Sequence, residues 1–160
     1  MKFLHLTLLA LTLALPACKP GVSTHEKVNE RLTSTDQTPQ ERCFAYDLND
    51  DLIGLSITIT GDHFTGKLAY AYSNDDRNTG TVEGTIRGDT LIADYTYYSG
   101  GTSGIREVIF LLRDDDSLVE ASGETTERDG KLVYANRSAL KFNSNIALHS
   151  IPCHKGNSIH

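Results

Sequence analysis

The chain has 160 residues and a formal net charge of −6, with 21 acidic against 15 basic side chains. That length suits one domain with an appendage, and the acidic balance disfavours nucleic acid and anionic lipid headgroups as partners. Gly-x-Ser-x-Gly, a Gly-rich phosphate loop and His-Glu-x-x-His are all absent from the sequence, so no hydrolase, nucleotide or zinc-protease signature is present, and a non-enzymatic protein without a cofactor is expected.

At the start of the chain Lys2 precedes a run from Phe3 to Leu15 that is almost wholly apolar, with Thr7 and Thr12 as mild interruptions. The small Ala17 then precedes Cys18. This reads as an export signal, residues 1–17, too short for a membrane-spanning helix. Its end, Leu15-Pro16-Ala17-Cys18, resembles the lipobox of bacterial lipoproteins. The resemblance implies cleavage after Ala17, acylation of Cys18 and attachment to a membrane of the cell envelope through those acyl chains. Lys19 is not the aspartate that retains lipoproteins in the inner membrane of some bacteria, so an outer-membrane site facing the periplasm is expected. Residues 18–41 carry Pro20, Gly21, Pro39 and many polar side chains, with Val22, Val28 and Leu32 as the large apolar ones. They read as the lipidated cysteine and a flexible tether that cannot bury enough surface to offset its ordering cost. A short helix over 25–32 is the one structure that competes with this reading.

From Arg42 the period becomes two. Leu55, Ile57 and Ile59 alternate with Ser56, Thr58 and Thr60; Phe64, Leu68, Tyr70 and Tyr72 follow, then Val82 and Ile86, then Leu91, Ala93, Tyr95 and Tyr97. Such alternation, rich in β-branched and aromatic residues, is the mark of half-buried strands. Gly61-Asp62, Gly88-Asp89, Asp114-Asp115-Asp116 and Asp129-Gly130 punctuate them as turns. The pattern predicts strands near 43–47, 52–60, 63–72, 80–87, 90–98, 104–113, 117–126 and 131–142, with a short terminal strand near 146–152. Residues 105–113 also fit helical spacing, but their place in a meander favours a strand. The fold class is therefore all-β: an antiparallel meander of eight strands, nine with the terminal one, closing into a small lipocalin-like barrel over residues 42–154, followed by a flexible tail, 155–160. Closure removes the exposed edges. Glycines 54, 66, 84 and 123 fall inside predicted strands and mark bends or close backbone approach.

With Cys18 assigned to lipid, Cys43 and Cys153 are left as an even pair in an oxidising compartment, and a disulfide between them is expected. It would join the first strand to the last segment, where a meander barrel closes. A metal site built on both cysteines and His154 is the rival, but no Cys-x-x-Cys or close histidine pair supports it. No metal is expected.

The segments Thr65-Gly66-Lys67-Leu68-Ala69-Tyr70, Gly80 through Tyr95, and Arg106-Glu107-Val108-Ile109-Phe110 resemble a group of small lipoproteins of the Bacteroidota. The resemblance covers most of residues 43–153 and both cysteines. It implies the exported, anchored address and no activity. More loosely, the meander is similar to lipocalin-like barrels, although their Gly-x-Trp signature is missing and the chain has no tryptophan. The lipoprotein inhibitors of lysozyme share the compartment, size and disulfide, but no segment here matches their inhibitory motif.

Arg106-Glu107 are adjacent on a strand whose two faces both carry apolar neighbours, so one charge points inward. An inward Arg106 needs a carboxylate or a ligand, and Asp94 and Glu120 are the candidate partners. Tyr70, Tyr95 and Tyr97 form an aromatic wall beside them, while Tyr98 is out of phase and faces the other way. These six residues, Arg106, Asp94, Glu120, Tyr70, Tyr95 and Tyr97, are the candidate ligand-binding set, near loops 73–79 and 99–104. A structural ion pair is the plainer reading of Arg106. Asp75-Asp76-Arg77-Asn78-Thr79-Gly80 has alternating oxygen ligands, but its glycine is misplaced and no acidic residue follows twelve along, so it reads as a polar loop. Asp116-Ser117-Leu118 and Asp89-Thr90-Leu91 resemble the O-glycosylation triplets of exported Bacteroidota proteins. The expected role is a non-catalytic binding module for a small ligand or glycan. The alternatives are a protein-binding module, such as an inhibitor of a cationic, lysozyme-like hydrolase, and a structural or assembly lipoprotein.

Overall fold

Period-two alternation becomes ten strands in the computed structural model, which describes residues 37–74 and 77–153. The expected signal segment, Cys18, residues 19–36 of the expected tether, Asp75-Asp76, His154 and the expected tail, 155–160, lie outside the described residues. In chain order the strands are β1 (Gln40–Leu48), β2 (Asp51–Thr60), β3 (His63–Ala71), β4 (Arg77–Arg87), β5 (Thr90–Ser99), β6 (Thr102–Leu112), β7 (Ser117–Ser122), β8 (Thr125–Arg128), β9 (Lys131–Tyr134) and β10 (Lys141–Ile151). Strands β1 to β7 form an antiparallel meander, and β10 returns between β7 and β1 to close an eight-strand barrel. The β8–β9 hairpin is an excursion outside that ring, joined to β6.

Side chains alternate across each strand, so one parity fills the barrel. Phe44, Leu55, Ile57, Leu68, Leu91, Val108, Phe110, Leu118 and Leu148 are almost fully buried along its axis. Each such side chain contributes about 1.5–3 kcal/mol relative to exposure. A second small core lies on the outer surface, where Tyr134, Leu140 and Phe142 pack on Ile92, Ile109 and Ala121.

Three boundaries depart from the sequence reading. The expected first strand, 43–47, starts too late: β1 begins at Gln40, because Gln40 and Glu41 pair through their backbones with Ile59 and Thr58 and need no buried side chain. The expected strand 117–126 stops at Ser122, since the chain turns at Gly123, where a Cβ would lie 2.9 Å from Leu140. The expected strand 131–142 breaks after Tyr134. Asn136 accepts a hydrogen bond from the Ser138 amide at 2.9 Å and caps a 3-10 turn over Arg137–Ala139, a local side-chain bond that competes with the ladder. The closing stave is therefore β10, and the anticipated gap between 142 and 146 falls on its register shift between Phe142 and Ala147.

Two interior glycines are required by close backbone approach. A Cβ on Gly66 would sit 2.0 Å from the Ser56 carbonyl oxygen, and one on Gly84 2.1 Å from that of Ile92. Gly66→Ala must therefore push β2 away from β3, and it is expected to cost about 1–3 kcal/mol, the usual range for overpacking. A denaturation midpoint equal to the parent's would show that this wall yields freely.

The barrel has two unlike ends. At one, the turns at 61–62 and 88–89 fold back, with Ile86 N donating to Asp62 O at 2.8 Å and Leu112 N to Asp89 O at 2.7 Å. Arg42 donates to both carboxylate oxygens of Asp116 at 3.0 and 2.8 Å, and the Cys43–Cys153 disulfide lies on the same side. The chain enters β1 here. The other end is bounded by the Asn49-Asp50 turn, by residues 72–74 after β3 and by the Gly100-Gly101 turn, whose two glycines both have positive φ.

Candidate functional site

The open end owes its chemistry to a splay in the barrel wall. β6 pairs with β7 only from Phe110↔Glu120 to Leu112↔Leu118. Beyond that β7 leaves it, and β9 takes the same edge through one parallel bridge, Arg106↔Leu132. Arg106 and Glu120 both have inward parity and face each other at the splay. Arg106 Nη1 donates to Glu120 Oε1 at 3.1 Å, and Tyr70 Oη donates to Glu120 Oε2 at 2.7 Å. The guanidinium lies over the Tyr70 and Tyr95 rings, 5.2 and 5.4 Å from their centroids. Tyr72 stacks on Tyr70 at 6.1 Å, and Tyr97 lies 5.6 Å from Tyr95.

Both Glu120 oxygens are thus used, while Arg106 spends only Nη1 on the protein among the described residues, leaving Nη2 and Nε of a five-donor fork. Burial opposes its charge, but Tyr70 and Glu120 outweigh that penalty and raise its pKa further. Its side chain is 30% exposed and that of Glu120 18%, so the pair opens to the mouth of the barrel. Deeper in, the Tyr95 hydroxyl is buried with no hydrogen-bond partner among the described residues. A hydroxyl buried without a partner costs on the order of 1–3 kcal/mol.

Five of the six expected residues come together here: Arg106, Glu120, Tyr70, Tyr95 and Tyr97. Asp94 does not. It shares β5 with Tyr95 and so points to the opposite face, where Lys131 Nζ donates to it. Tyr98 also points outward, and is 61% exposed. Glu107 faces outward as well, yet the β8–β9 hairpin covers it. Its carboxylate accepts from the Tyr134 amide at 3.2 Å and from Arg137. Sequence reasoning missed Arg137, Lys131 and Tyr134, whose roles depend on where the hairpin folds.

A concavity of about 380 Å³ lies on the outer wall of β3 to β6 among His63, Thr81, Glu83, Asp94, Thr96 and Ile105. Glu83, Asp94 and Glu107 are direct cross-strand neighbours on that face, a like-charged row that opposes pairing and is offset by Lys131 and Arg137. Its walls are solvated side chains, unlike the desolvated groups at the mouth. At the closed end Asp115 accepts from the Ser117 amide and hydroxyl at 3.2 and 2.6 Å, and Ser117 is buried. Asp115 is thus held within its own turn and Asp116 by Arg42, and Ser117 is not presented for glycosylation.

Burial pushes the phenols up. Tyr95 is raised to about 12, with Arg106 opposing and Glu120 reinforcing the shift; Tyr134 also reaches about 12 through burial and then Glu120, and Tyr70 is raised by the same two causes. In an unfolded chain these groups titrate near 10. Above that pH the unfolded state releases protons that the fold keeps, so the stability they contribute is complete below about pH 10 and is lost as pH rises toward 12. Denaturation midpoints should fall across that window, with the late tyrosinate absorbance appearing together with loss of structure. A flat midpoint through the window would refute the burial of these hydroxyls.

The fold and site define the class of protein: a small, disulfide-closed all-β barrel with a charged and aromatic mouth. No protein-family model, curated protein or solved structure matches the chain.

Proposed function

We propose that this is a lipid-anchored envelope protein whose barrel is a non-catalytic binding module, taking a small polar ligand or glycan at its open end. The observation that carries this reading is the mouth itself: an oriented guanidinium with spare donors, above a buried hydroxyl with no partner among the described residues, set among aromatic rings. Binding sites commonly combine apolar walls with a few convergent polar groups in this way. The path of the chain supports it too. The described chain enters β1 at the disulfide end, so an anchor upstream of it would join the barrel at the end opposite the mouth. The lipobox-like Leu15-Pro16-Ala17-Cys18 supports the anchor.

Affinity capture of the intact protein from its own envelope, with bound molecules identified by mass, tests both parts. The expected result is an acylated Cys18 and a ligand retained by the parent chain and lost from Arg106→Ala. An unmodified Cys18 would overturn the anchor. Identical bound molecules for parent and Arg106→Ala would overturn the mouth as the site.

A further inference from the structure

Resting on the reading of the mouth as a binding site, we infer that its ligand is an uncharged saccharide and that acidic sugars are discriminated against. Three observations converge on this.

The first is charge. The Arg106 cation is already matched by Glu120 at 3.1 Å, and Asp51, whose carboxylate accepts from the Ser73 amide at the same end, adds a further negative charge near Tyr72. Among the described residues, the inward-facing Arg106, Glu120 and Asp51 sum to one negative unit before any ligand arrives. An anion entering this partly desolvated space meets net repulsion, whereas a neutral molecule meets none.

The second is hydrogen bonding. Arg106 Nη2 and Nε offer donors beside the half-exposed tyrosine rings. A planar, charged fork of this kind fits adjacent sugar hydroxyl oxygens, which accept from the guanidinium.

The third is the walls. Tyr72 is 37% exposed, and Tyr97 stands half-buried beside Tyr95. Ring faces of this kind suit the C–H face of a sugar ring, apolar on one side and polar at the edge. Tyr97 is seated by a glycine: a Cβ on Gly104 would fall 2.6 Å from the Tyr97 hydroxyl oxygen. The chain therefore keeps Gly104 bare so that Tyr97 can lie across the entrance.

That seat supplies a gentle test. In Gly104→Ala the atom that must move is the free end of a side chain, so the barrel folds and the Arg106–Glu120 pair stays intact while Tyr97 is displaced. The full-length protein, its Gly104→Ala variant and its Arg106→Ala variant are applied in detergent to an array of neutral and acidic oligosaccharides. The expected result is retention of neutral glycans by the parent chain and a loss on the order of tenfold in Gly104→Ala, with an unchanged denaturation midpoint. Preferential retention of acidic glycans that is still lost in Gly104→Ala would overturn the inference and leave the mouth as the binding site. No retention of any glycan, or retention that neither variant changes, would overturn the inference and its basis together.

Discussion

Replacing Cys43 and Cys153 together by alanine lowers the stability of the barrel by about 2–5 kcal/mol, the range for a native disulfide in a small domain. The reason lies in how the barrel closes. The β1–β10 seam has only three register pairs, Cys43↔Ile151 to Ala45↔His149. On its other edge β10 is interrupted by the register shift between Phe142 and Ala147. The closing stave is therefore thinly paired on its β1 edge, as thinly as β6 and β7 are on each other, and the cross-link spans 110 residues of sequence. In the chain-entropy model a loop of that length restricts the unfolded chain by about 4–5 kcal/mol. The Arg42–Asp116 pair at the same end is part-exposed and supplies about 0–1 kcal/mol, so it cannot stand in for the bond. Urea midpoints of the oxidised protein, the reduced protein and the double alanine variant measure the effect. Coincident midpoints would show that the ladder alone closes the barrel.

How far the sequence led depends on which contacts are local. Seven staves were legible because each alternates on its own, and Gly61-Asp62 and Gly88-Asp89 lie at the turns they predicted. Asn49-Asp50 was passed over, although both residues adopt the left-handed conformation that Asn and Asp tolerate. The eighth stave was misplaced because Asn136 caps a turn inside an apolar run, and β10 has few buried side chains to announce it: only Leu148 is fully buried. At the site, Arg106, Glu120 and the tyrosines were found through parity and charge. Asp94 could have been excluded by the same rule, since it adjoins Tyr95 and two neighbours on a strand cannot both face inward. The hairpin contacts of Lys131, Tyr134 and Arg137 had no sequence signal, because a parallel one-residue bridge to β6 leaves no periodicity.

Removing either member of the Arg106–Glu120 pair is expected to destabilise the fold, and removing both with apolar replacements is expected to restore most of the loss. Glu120→Leu strands a guanidinium over Tyr70 and Tyr95 and takes the acceptor from the Tyr70 hydroxyl. Arg106→Met strands a carboxylate that, among the described residues, keeps only its hydrogen bond from Tyr70. Fully buried pairs broken in this way lose 3–5 kcal/mol; with Arg106 at 30% exposure and Glu120 at 18%, about 2–3 kcal/mol is expected for each. The double variant should fall well short of the sum, because an apolar pair of similar volume leaves no unmatched charge, and coupling of about 0.5–3 kcal/mol is usual for residues in contact. Denaturation of the four proteins closes the cycle, and additive losses would show that the two side chains do not depend on each other. The double variant also separates stability from function. If the pair existed for folding alone, a stable Arg106→Met/Glu120→Leu barrel would bind as the parent does. Because the spare guanidinium donors reach the mouth, the expected outcome is a folded barrel that has lost its ligand, read as retention on the same glycans.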